Sequence, residues 1–167
     1  MPSACAIASS VGPGGRSAKP LAHLGRHRFL AAAVLAGPLG SWLLQLAANV
    51  AGLSMPRPGL AWTALVGSLV VAPVLEELVF RGGLQEVLDR TSWGRRRAVP
   101  GVSVGNLSTS LVFAAAHLPV TLPWLAVGVV FPSLVFGRLK QLYPSLLPAM
   151  LVHAWYNACF LLMLGHP

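Results

Sequence analysis

The chain has 167 residues, of which 55% are hydrophobic and only 10% are charged, with 12 Lys and Arg against 4 Asp and Glu. A water-soluble domain has about a quarter charged residues, so this composition excludes an ordinary soluble globule and indicates a membrane protein. The net charge of +8 does not indicate nucleic-acid binding, because the basic residues are dispersed between apolar runs without an aromatic platform. The two cysteines, Cys5 and Cys159, fit neither a disulfide framework nor a metal-binding spacing.

The start of the chain differs from the rest in composition. Residues 1–28 are rich in small residues and then in basic ones, and they are predicted to form a disordered basic tail. Residues 29–167 are predicted to form one integral membrane helical domain. The apolar run Phe29–Val50 is preceded by basic residues, as in a signal peptide. It is longer than the usual apolar core of about 7 to 15 residues, which favours an uncleaved membrane span.

Four further apolar runs follow, and a membrane-spanning helix needs about 20 apolar residues. The second run starts near Gly59 and is predicted to continue as one helix to Arg90. The third run, Asn106–Leu118, and the fourth, Trp124–Phe136, are short, and the fifth is Ser145–Leu164. The predicted fold class is therefore all-α, a polytopic membrane helical bundle with about five transmembrane helices.

The basic residues predict the orientation of this bundle, because Lys and Arg accumulate in cytoplasmic loops. With the N-terminus inside, residues 1–28, 81–105 and 137–144 are cytoplasmic and hold eleven of the twelve Lys and Arg. The external segments hold only Arg57. We therefore predict a cytoplasmic N-terminus and an external C-terminus.

All four acidic residues lie in one stretch, as Glu76, Glu77, Glu86 and Asp89. An ionisable group within a span costs several kcal/mol, so it needs a function or a partner. Glu77 and Arg81 are four residues apart and can pair along one helix face. Glu76 leaves an ideal helix about 100° away from Glu77, so the two carboxylates need not share a partner. This leaves Glu76 free for chemistry.

Two more polar motifs lie in later apolar runs. Phe113 and His117 are one turn apart in the third run, and His153 and Asn157 are one turn apart in the fifth. If the second helix continues to its predicted end, these groups lie at a depth similar to that of Glu76. Three helices are therefore predicted to direct polar groups into a common interior.

These groups together predict hydrolysis by activated water. A carboxylate in a low-dielectric site can act as a general base, and a nearby imidazole can hold the water or share its proton. A His N–H and an Asn amide can donate to a developing oxyanion. Alternatively, one Glu and two His could bind Zn²⁺, although HExxH is absent. Structural hydrogen bonding and ion or proton transport are further alternatives, but no internal repeat supports a transporter.

In order, the segments EELVFR (residues 76–81), FAAAH (113–117) and HAWYN (153–157) resemble the motifs EExxxR, FxxxH and HxxxN. These motifs are typical of the glutamic-type intramembrane protease family that includes CAAX prenyl endopeptidases and bacterial bacteriocin-processing (Abi) proteins. The resemblance implies a helical membrane core around a water-filled cavity. It implies a catalytic group in which Glu76 and His117 activate water while His153 and Asn157 stabilise the oxyanion. It also implies a supporting group: Glu77, Arg81 and Phe113.

The resemblance further implies a multi-pass protein of the bacterial plasma membrane. Its expected partners are the lipid bilayer and a protein or peptide substrate. Short bacterial members of the family resemble this chain in size, and some serve proteins with a C-terminal sorting tag. A prenylated substrate is not expected, because bacteria do not generally prenylate CAAX boxes. No cofactor is predicted, with Zn²⁺ as the open alternative. The alternative function is a non-catalytic membrane scaffold or bacteriocin-immunity protein on the same fold.

Overall fold

The structure is a computed structural model that describes residues 18–53, 55 and 61–164. This part of the chain contains six helices and one short hairpin. The helices are α1 (Ala18–Val50), α2 (Trp62–Arg90), α3 (Val104–His117), α4 (Pro123–Gly128), α5 (Val130–Leu142) and α6 (Leu147–Leu164). The hairpin consists of β1 (Arg97–Val99) and β2 (Val102–Ser103), which pair antiparallel.

The long helix α2 changes its hydrogen-bonding pattern along its length. Two π-helical stretches, Gly67–Val71 and Leu78–Gln85, alternate with α-helical ones. The second stretch contains Gly82 and Gly83, which disfavour an ideal α-helix. The chain nevertheless stays helical, so the prediction that the second helix continues to Arg90 is confirmed. π-Helical turns are rare and are frequently found at functional sites.

Within the described ranges, three helical segments are long and apolar enough to cross a membrane: Leu24–Val50, Trp62–Arg90 and Pro123–Leu142. A shorter apolar helix, Leu147–Met163, accompanies them. The predicted fold class, a helical membrane bundle, is confirmed. The predicted third span forms only the 14-residue α3, which is too short to cross a hydrocarbon core of about 30 Å alone. The count of about five spans therefore stays a prediction.

Two segments differ from the predicted organisation. Helix α1 begins at Ala18 rather than at Phe29, so the end of the predicted disordered tail is helical. Residues 1–17 of that predicted tail lie outside the described residues. The linker after α2 forms the β1–β2 hairpin, whose turn contains Gly101 at a φ of 83°. Such a positive φ suits glycine, which has no Cβ to clash with the backbone.

Polar side chains lie inside the bundle and large apolar side chains lie on its surface. Leu35, Val70 and Phe131 are each more than half exposed. The fully buried polar side chains are Glu77, Arg81, Gln85, Asn106, Thr109, Ser110 and Ser133. A soluble protein buries its apolar residues and exposes its charges, so this reversed arrangement indicates that lipid surrounds the bundle.

Helix α6 contacts α1, α2 and α5, and its contact with α1 is very close. A Cβ atom added at Gly37 would lie 3.0 Å from the Trp155 Nε1 atom. The Trp155 indole donates to the Val34 carbonyl at 2.9 Å, and the Tyr156 hydroxyl donates to the Ala33 carbonyl at 2.8 Å. Small residues and interhelical hydrogen bonds are the usual means of helix association in membranes.

The three segments predicted to be cytoplasmic meet at one end of the bundle. The Tyr143 hydroxyl, just after α5, donates to the Arg26 carbonyl of α1 at 3.3 Å. Lys140 of α5 forms an ion pair with Glu86 of α2. This side of the molecule, called the basic end below, carries Arg26, Arg90, Arg95, Arg96, Arg97, Arg138 and Lys140. Their common location is what the predicted alternation of loops requires.

Candidate active site

A buried ion pair on α2 forms the centre of the site. Glu77 and Arg81 are both fully buried, with Arg81 Nε 3.3 Å from Glu77 Oε2. The Arg81 Nη2 group donates to the carbonyl oxygen and the hydroxyl of Ser133, at 2.8 and 2.7 Å. The guanidinium also lies 4.8 Å from the ring centre of Phe113 and 5.5 Å from that of Phe136. The predicted Glu77–Arg81 pairing is confirmed, and α3 and α5 supply further contacts to the buried guanidinium.

His153 of α6 lies between the two neighbouring glutamates. Its Nδ1 atom is 2.9 Å from Glu77 Oε1, and its Nε2 atom is 3.6 Å from Glu76 Oε2. The ring stacks on Phe136 with 4.6 Å between the ring centres. The sequence did not require the two carboxylates to share a partner, but the structure gives them one in His153. The two nitrogens of one imidazole point in different directions, so they reach side chains that leave the helix about 100° apart.

The two glutamates differ in access. The side chain of Glu76 is 28% exposed, whereas that of Glu77 is 0% exposed. Both oxygens of Glu77 face partners, one toward Arg81 and one toward His153. Glu76 has only its longer contact with His153 among the described residues. Glu76 is therefore accessible to a water molecule, whereas Glu77 has no exposed surface at which a water could reach it.

His117 of α3 has one ring nitrogen bound to its own helix. Its Nδ1 atom lies 2.8 Å from the Phe113 carbonyl oxygen. A carbonyl oxygen only accepts, so Nδ1 carries the hydrogen and Nε2 of the neutral ring has a free lone pair. The rings of Phe113 and His117 pack with 4.5 Å between their centres, which confirms the predicted contact of these two residues. The Nε2 atom can accept a hydrogen bond from water.

Asn157 of α6 binds a backbone carbonyl that a proline leaves without a donor. The Asn157 Nδ2 group donates to the Ser68 carbonyl at 2.8 Å. In the first π-helical stretch, the N–H of Ala72 bonds to the Gly67 carbonyl five residues earlier. The next donor in this register would be Pro73, which has no N–H. Asn157 supplies the missing donor, and the second hydrogen of its amide is left for another acceptor.

A cavity of about 740 Å³ lies beside these groups, among α1, α3, α4, α5 and α6. Its wall contains His117, His153 and Asn157, and the remaining wall is mostly apolar. Glu76 does not line this cavity, and among the described side chains no hydrogen bond joins it to His117. The structure thus places Glu76 with His153 and Glu77, while His117 and Asn157 face the cavity. The volume falls within the usual range of ligand sites, about 300–1,000 Å³.

Several residues that organise the site were missed in the sequence. The fully buried Gln85 donates to the Gly137 carbonyl at 3.1 Å, and Asn106 donates to the Leu134 carbonyl at 3.0 Å. A Cβ atom at Gly137 would collide with the Asn106 side chain. Ser133 and Gly137 are one turn apart, and such pairs of small residues mark helix contacts in membranes. This spacing was the available signal that α5 packs against α2 and α3.

The ligands considered for zinc are not gathered into a metal site. Within residues 18–53, 55 and 61–164, no three His, Cys, Asp or Glu side chains are grouped so that they could hold a metal ion. Glu76, His117 and His153 as they stand do not fit a three-ligand zinc site.

The fold and the site together define a helical membrane protein with a polar interior. Residues 58–159 match the model of the family described as type II CAAX prenyl endopeptidase Rce1-like. This match covers more than half of the chain and includes all three motifs, so the chain belongs to this family. The resemblance found in the sequence is confirmed, and in general terms the protein is an intramembrane protease of the CAAX type. No curated protein and no solved structure matches the chain.

Proposed function

We propose that the protein is an intramembrane endopeptidase that hydrolyses a peptide bond of a membrane-associated protein or peptide with water activated by Glu76 and His117. The observation that carries this proposal is the difference between the two adjacent glutamates. Glu77 is fully buried between Arg81 and His153, whereas Glu76 is accessible and has one long contact. Membership of a protease family supports the reaction class.

In the proposed reaction, His117 Nε2 accepts a hydrogen bond from the attacking water and Glu76 accepts a proton from it. The water oxygen bonds to the peptide carbon, and the carbonyl oxygen becomes an oxyanion. The free hydrogen of the Asn157 amide and the Nε2–H of protonated His153 donate to that oxyanion. Glu76 then returns the proton to the leaving amine as the C–N bond breaks. Glu77 accepts from Nδ1 of His153, which fixes the orientation of the ring.

The large apolar cavity supports an apolar segment as the substrate. We propose a single-span protein cut near its C-terminal end, with a C-terminal sorting tag as one candidate. The test reconstitutes the full-length protein in liposomes with single-span peptides that carry different C-terminal tails, including CAAX tails with and without a farnesyl group. Mass spectrometry of the products identifies both the substrate and the bond cut.

Glu76→Gln and His117→Ala should each lower kcat for a cleaved peptide by about 10²–10⁴-fold, the usual contribution of acid–base catalysis. The matched control is Glu86→Gln, which removes a carboxylate from the same helix at the basic end and should retain wild-type cleavage. Full activity of Glu76→Gln would refute the proposed mechanism. If neither the wild type nor Glu76→Gln cleaves any peptide or any co-expressed membrane protein, the non-catalytic scaffold or immunity function replaces it.

The proposed mechanism uses no metal ion. Cleavage should therefore survive exhaustive treatment with a chelator, and the active protein should contain no stoichiometric zinc by elemental analysis. Loss of activity on chelation with recovery on adding Zn²⁺ would contradict this part of the proposal.

We place the protein in the bacterial plasma membrane as a multi-pass protein with its N-terminus in the cytoplasm and its C-terminus outside. The distribution of Lys and Arg supports this orientation, as does the meeting of three basic segments at one end. Reporter fusions at each terminus should report opposite sides of the membrane. Both termini on one side would refute the count of five spans.

A further inference from the structure

A second, polar cavity of about 600 Å³ lies at the basic end of the bundle. The end of α2, the following loop, the β1–β2 hairpin and the end of α5 form its wall. The wall carries four cations, Arg95, Arg97, Arg138 and Lys140, and one carboxylate, Asp89. The candidate active site lies on the order of 15 Å away along α2, at a rise of about 1.5 Å per residue. The cavity is therefore separate from the proposed reaction.

Two of the four cations are held by the protein itself. Lys140 pairs with Glu86, and its Nζ atom lies 3.8 Å from Asp89 Oδ2. The Nη1 group of Arg95 donates to the carbonyls of Asp89 and Arg90 at 3.1 and 2.6 Å. These contacts connect the end of α2 to α5 and to the loop after α2. Lys140 and Arg95 therefore have structural partners.

Arg97 and Arg138 have no such partners. Neither side chain forms a hydrogen bond or an ion pair with any residue that the structure describes. The sequence contains only four Asp and Glu, and all are engaged, two at the candidate active site and two with Lys140. No side-chain carboxylate of the chain is left to neutralise the two guanidinium groups. Any anion that binds them would therefore belong to another molecule.

The framework around the two arginines is tied together. Arg97 lies opposite Ser103 in the hairpin register. The Ser103 hydroxyl accepts from the N–H of Asn106 at 3.0 Å, which caps α3, and from Gln141 Nε2 at 2.7 Å. Gln141 is three residues after Arg138 on α5, so these two side chains share a helix face. The hairpin and α5 thus present both arginines to one cavity.

The chemistry and the position of this cavity suit a ligand that is an anionic group of the lipid surface. Guanidinium groups bind phosphate oxygens in a bidentate geometry. The cavity lies at the ends of two helical segments long enough to span a membrane, Trp62–Arg90 and Pro123–Leu142, where headgroups are located. Basic pockets between transmembrane helices on the cytoplasmic side are suited to anionic headgroups. Asp89 does not oppose this, because Lys140 and Gln141 contact its carboxylate.

We propose that Arg97 and Arg138 bind the phosphate of an anionic phospholipid headgroup and thereby attach the hairpin to the predicted cytoplasmic leaflet. This site is independent of the proposed function, since it requires no catalysis.

The test titrates the purified full-length protein in detergent with phosphatidylglycerol or phosphatidylcholine and counts bound lipids by native mass spectrometry. The wild type should bind phosphatidylglycerol at least about tenfold more tightly than phosphatidylcholine. Each arginine near the surface contributes about a fivefold change in affinity, so Arg97→Gln with Arg138→Gln should weaken phosphatidylglycerol binding by about 25-fold. The matched control, Arg28→Gln with Arg96→Gln, removes two exposed cations outside the cavity and should retain wild-type affinity.

Each other outcome overturns the proposal. Equal affinity of the wild type for the two lipids would refute a headgroup site, whether or not the variants fold. Equal weakening in both double variants would show that general surface charge attracts the lipid. The phosphate group could also come from inorganic phosphate in solution, so inorganic phosphate is tested at millimolar concentration. If phosphate binds through Arg97 and Arg138 and displaces phosphatidylglycerol completely, the ligand is a soluble phosphate and the lipid source is wrong.

Discussion

Helix α2 carries two ion pairs of the same spacing in opposite surroundings. Glu77–Arg81 and Glu86–Arg90 have the same i,i+4 spacing and the same distance of 3.3 Å between Nε and a carboxylate oxygen. The side chains of the first pair are 0% exposed, whereas Arg90 and Glu86 of the second are 76% and 40% exposed. The spacing in the sequence decides that the residues pair. The helices packed around the pair decide how much the pairing contributes to the free energy of unfolding.

The energetic consequences of the two pairs differ accordingly. An exposed pair contributes about 0–1 kcal/mol, because water and salt screen it. Removing one partner of a buried pair costs about 3–5 kcal/mol, because the other charge stays buried without compensation. The active-site pair is therefore predicted to behave as part of the fold, and the pair at the basic end as a replaceable contact.

The largest expected effect comes from removing the buried cation. Arg81→Met leaves Glu77 charged and buried with His153 as its one remaining partner, so we expect the free energy of unfolding to fall by about 3–5 kcal/mol. Reversible unfolding of the purified protein in mixed micelles measures this change. Arg90→Met is the matched control, the same substitution in the exposed pair, and should cost less than about 1 kcal/mol. Similar losses in both variants would contradict the comparison.

A second variant separates a lost pair from a lost side chain. Adding Glu77→Gln to Arg81→Met removes the buried carboxylate charge that has lost its cation, so part of the lost stability should return. The double variant should still lack cleavage, because His153 has lost the carboxylate on its Nδ1 side. A double variant less stable than either single variant would show that the loss of stability does not come from breaking the ion pair.

An intermediate effect is expected from the hydroxyl that holds Arg81 in place. Ser133→Ala removes the 2.7 Å hydrogen bond to the guanidinium and keeps the bond to the Ser133 carbonyl. Loss of a buried hydrogen bond to a charged group costs about 1.5–3 kcal/mol, measured by the same unfolding titration. Ser108→Ala is the control, since the described residues offer the hydroxyl of this α3 serine no partner. An unchanged stability of Ser133→Ala would mean that the carbonyl alone positions Arg81.

The smallest effect is expected at the basic end and should depend on salt. Glu86→Gln removes the partner of Arg90 and Lys140 and should cost less than about 1 kcal/mol at low ionic strength. At 1 M salt the Debye length is about 3 Å, so the difference from the wild type should disappear. The loss in Arg81→Met should persist at the same salt concentration, because salt does not reach a buried pair. A salt-sensitive Arg81→Met would place that pair in contact with water.

The sequence predicted the contacts within each helix of the candidate site. The pairing of Glu77 with Arg81 and the contact of Phe113 with His117 both follow from a four-residue spacing, and both are present. The position of His153 could not be derived in this way, because its partners are on another helix. Its place between the two carboxylates depends on how α6 packs against α2. The pairing of Asn157 with Ser68 likewise depends on a π-helical stretch that no simple periodicity indicates.

The fold likewise has features that the sequence predicted and features that it did not. Composition and the apolar runs were sufficient to predict a helical membrane bundle and a second helix that reaches Arg90. The ends of the elements were less certain, since α1 begins at Ala18 and the linker after α2 contains a hairpin. The role of α5 was missed because Ser133 is one small polar residue in an apolar run. Its hydroxyl gains importance only where α5 meets the buried Arg81.

The sequence by itself determined that the protein is surrounded by lipid and which polar residues lie on the same face of each helix. A chain with so few charged residues requires a lipid environment. A four-residue spacing places two side chains on one helix face, whatever the tertiary structure. Only the tertiary structure decided which glutamate is enclosed and which is accessible. That choice depends on where α3, α5 and α6 cover α2, and contacts between distant segments are set by packing rather than by local spacing. Of the four carboxylates on this single helix, the surrounding helices enclose only Glu77 completely.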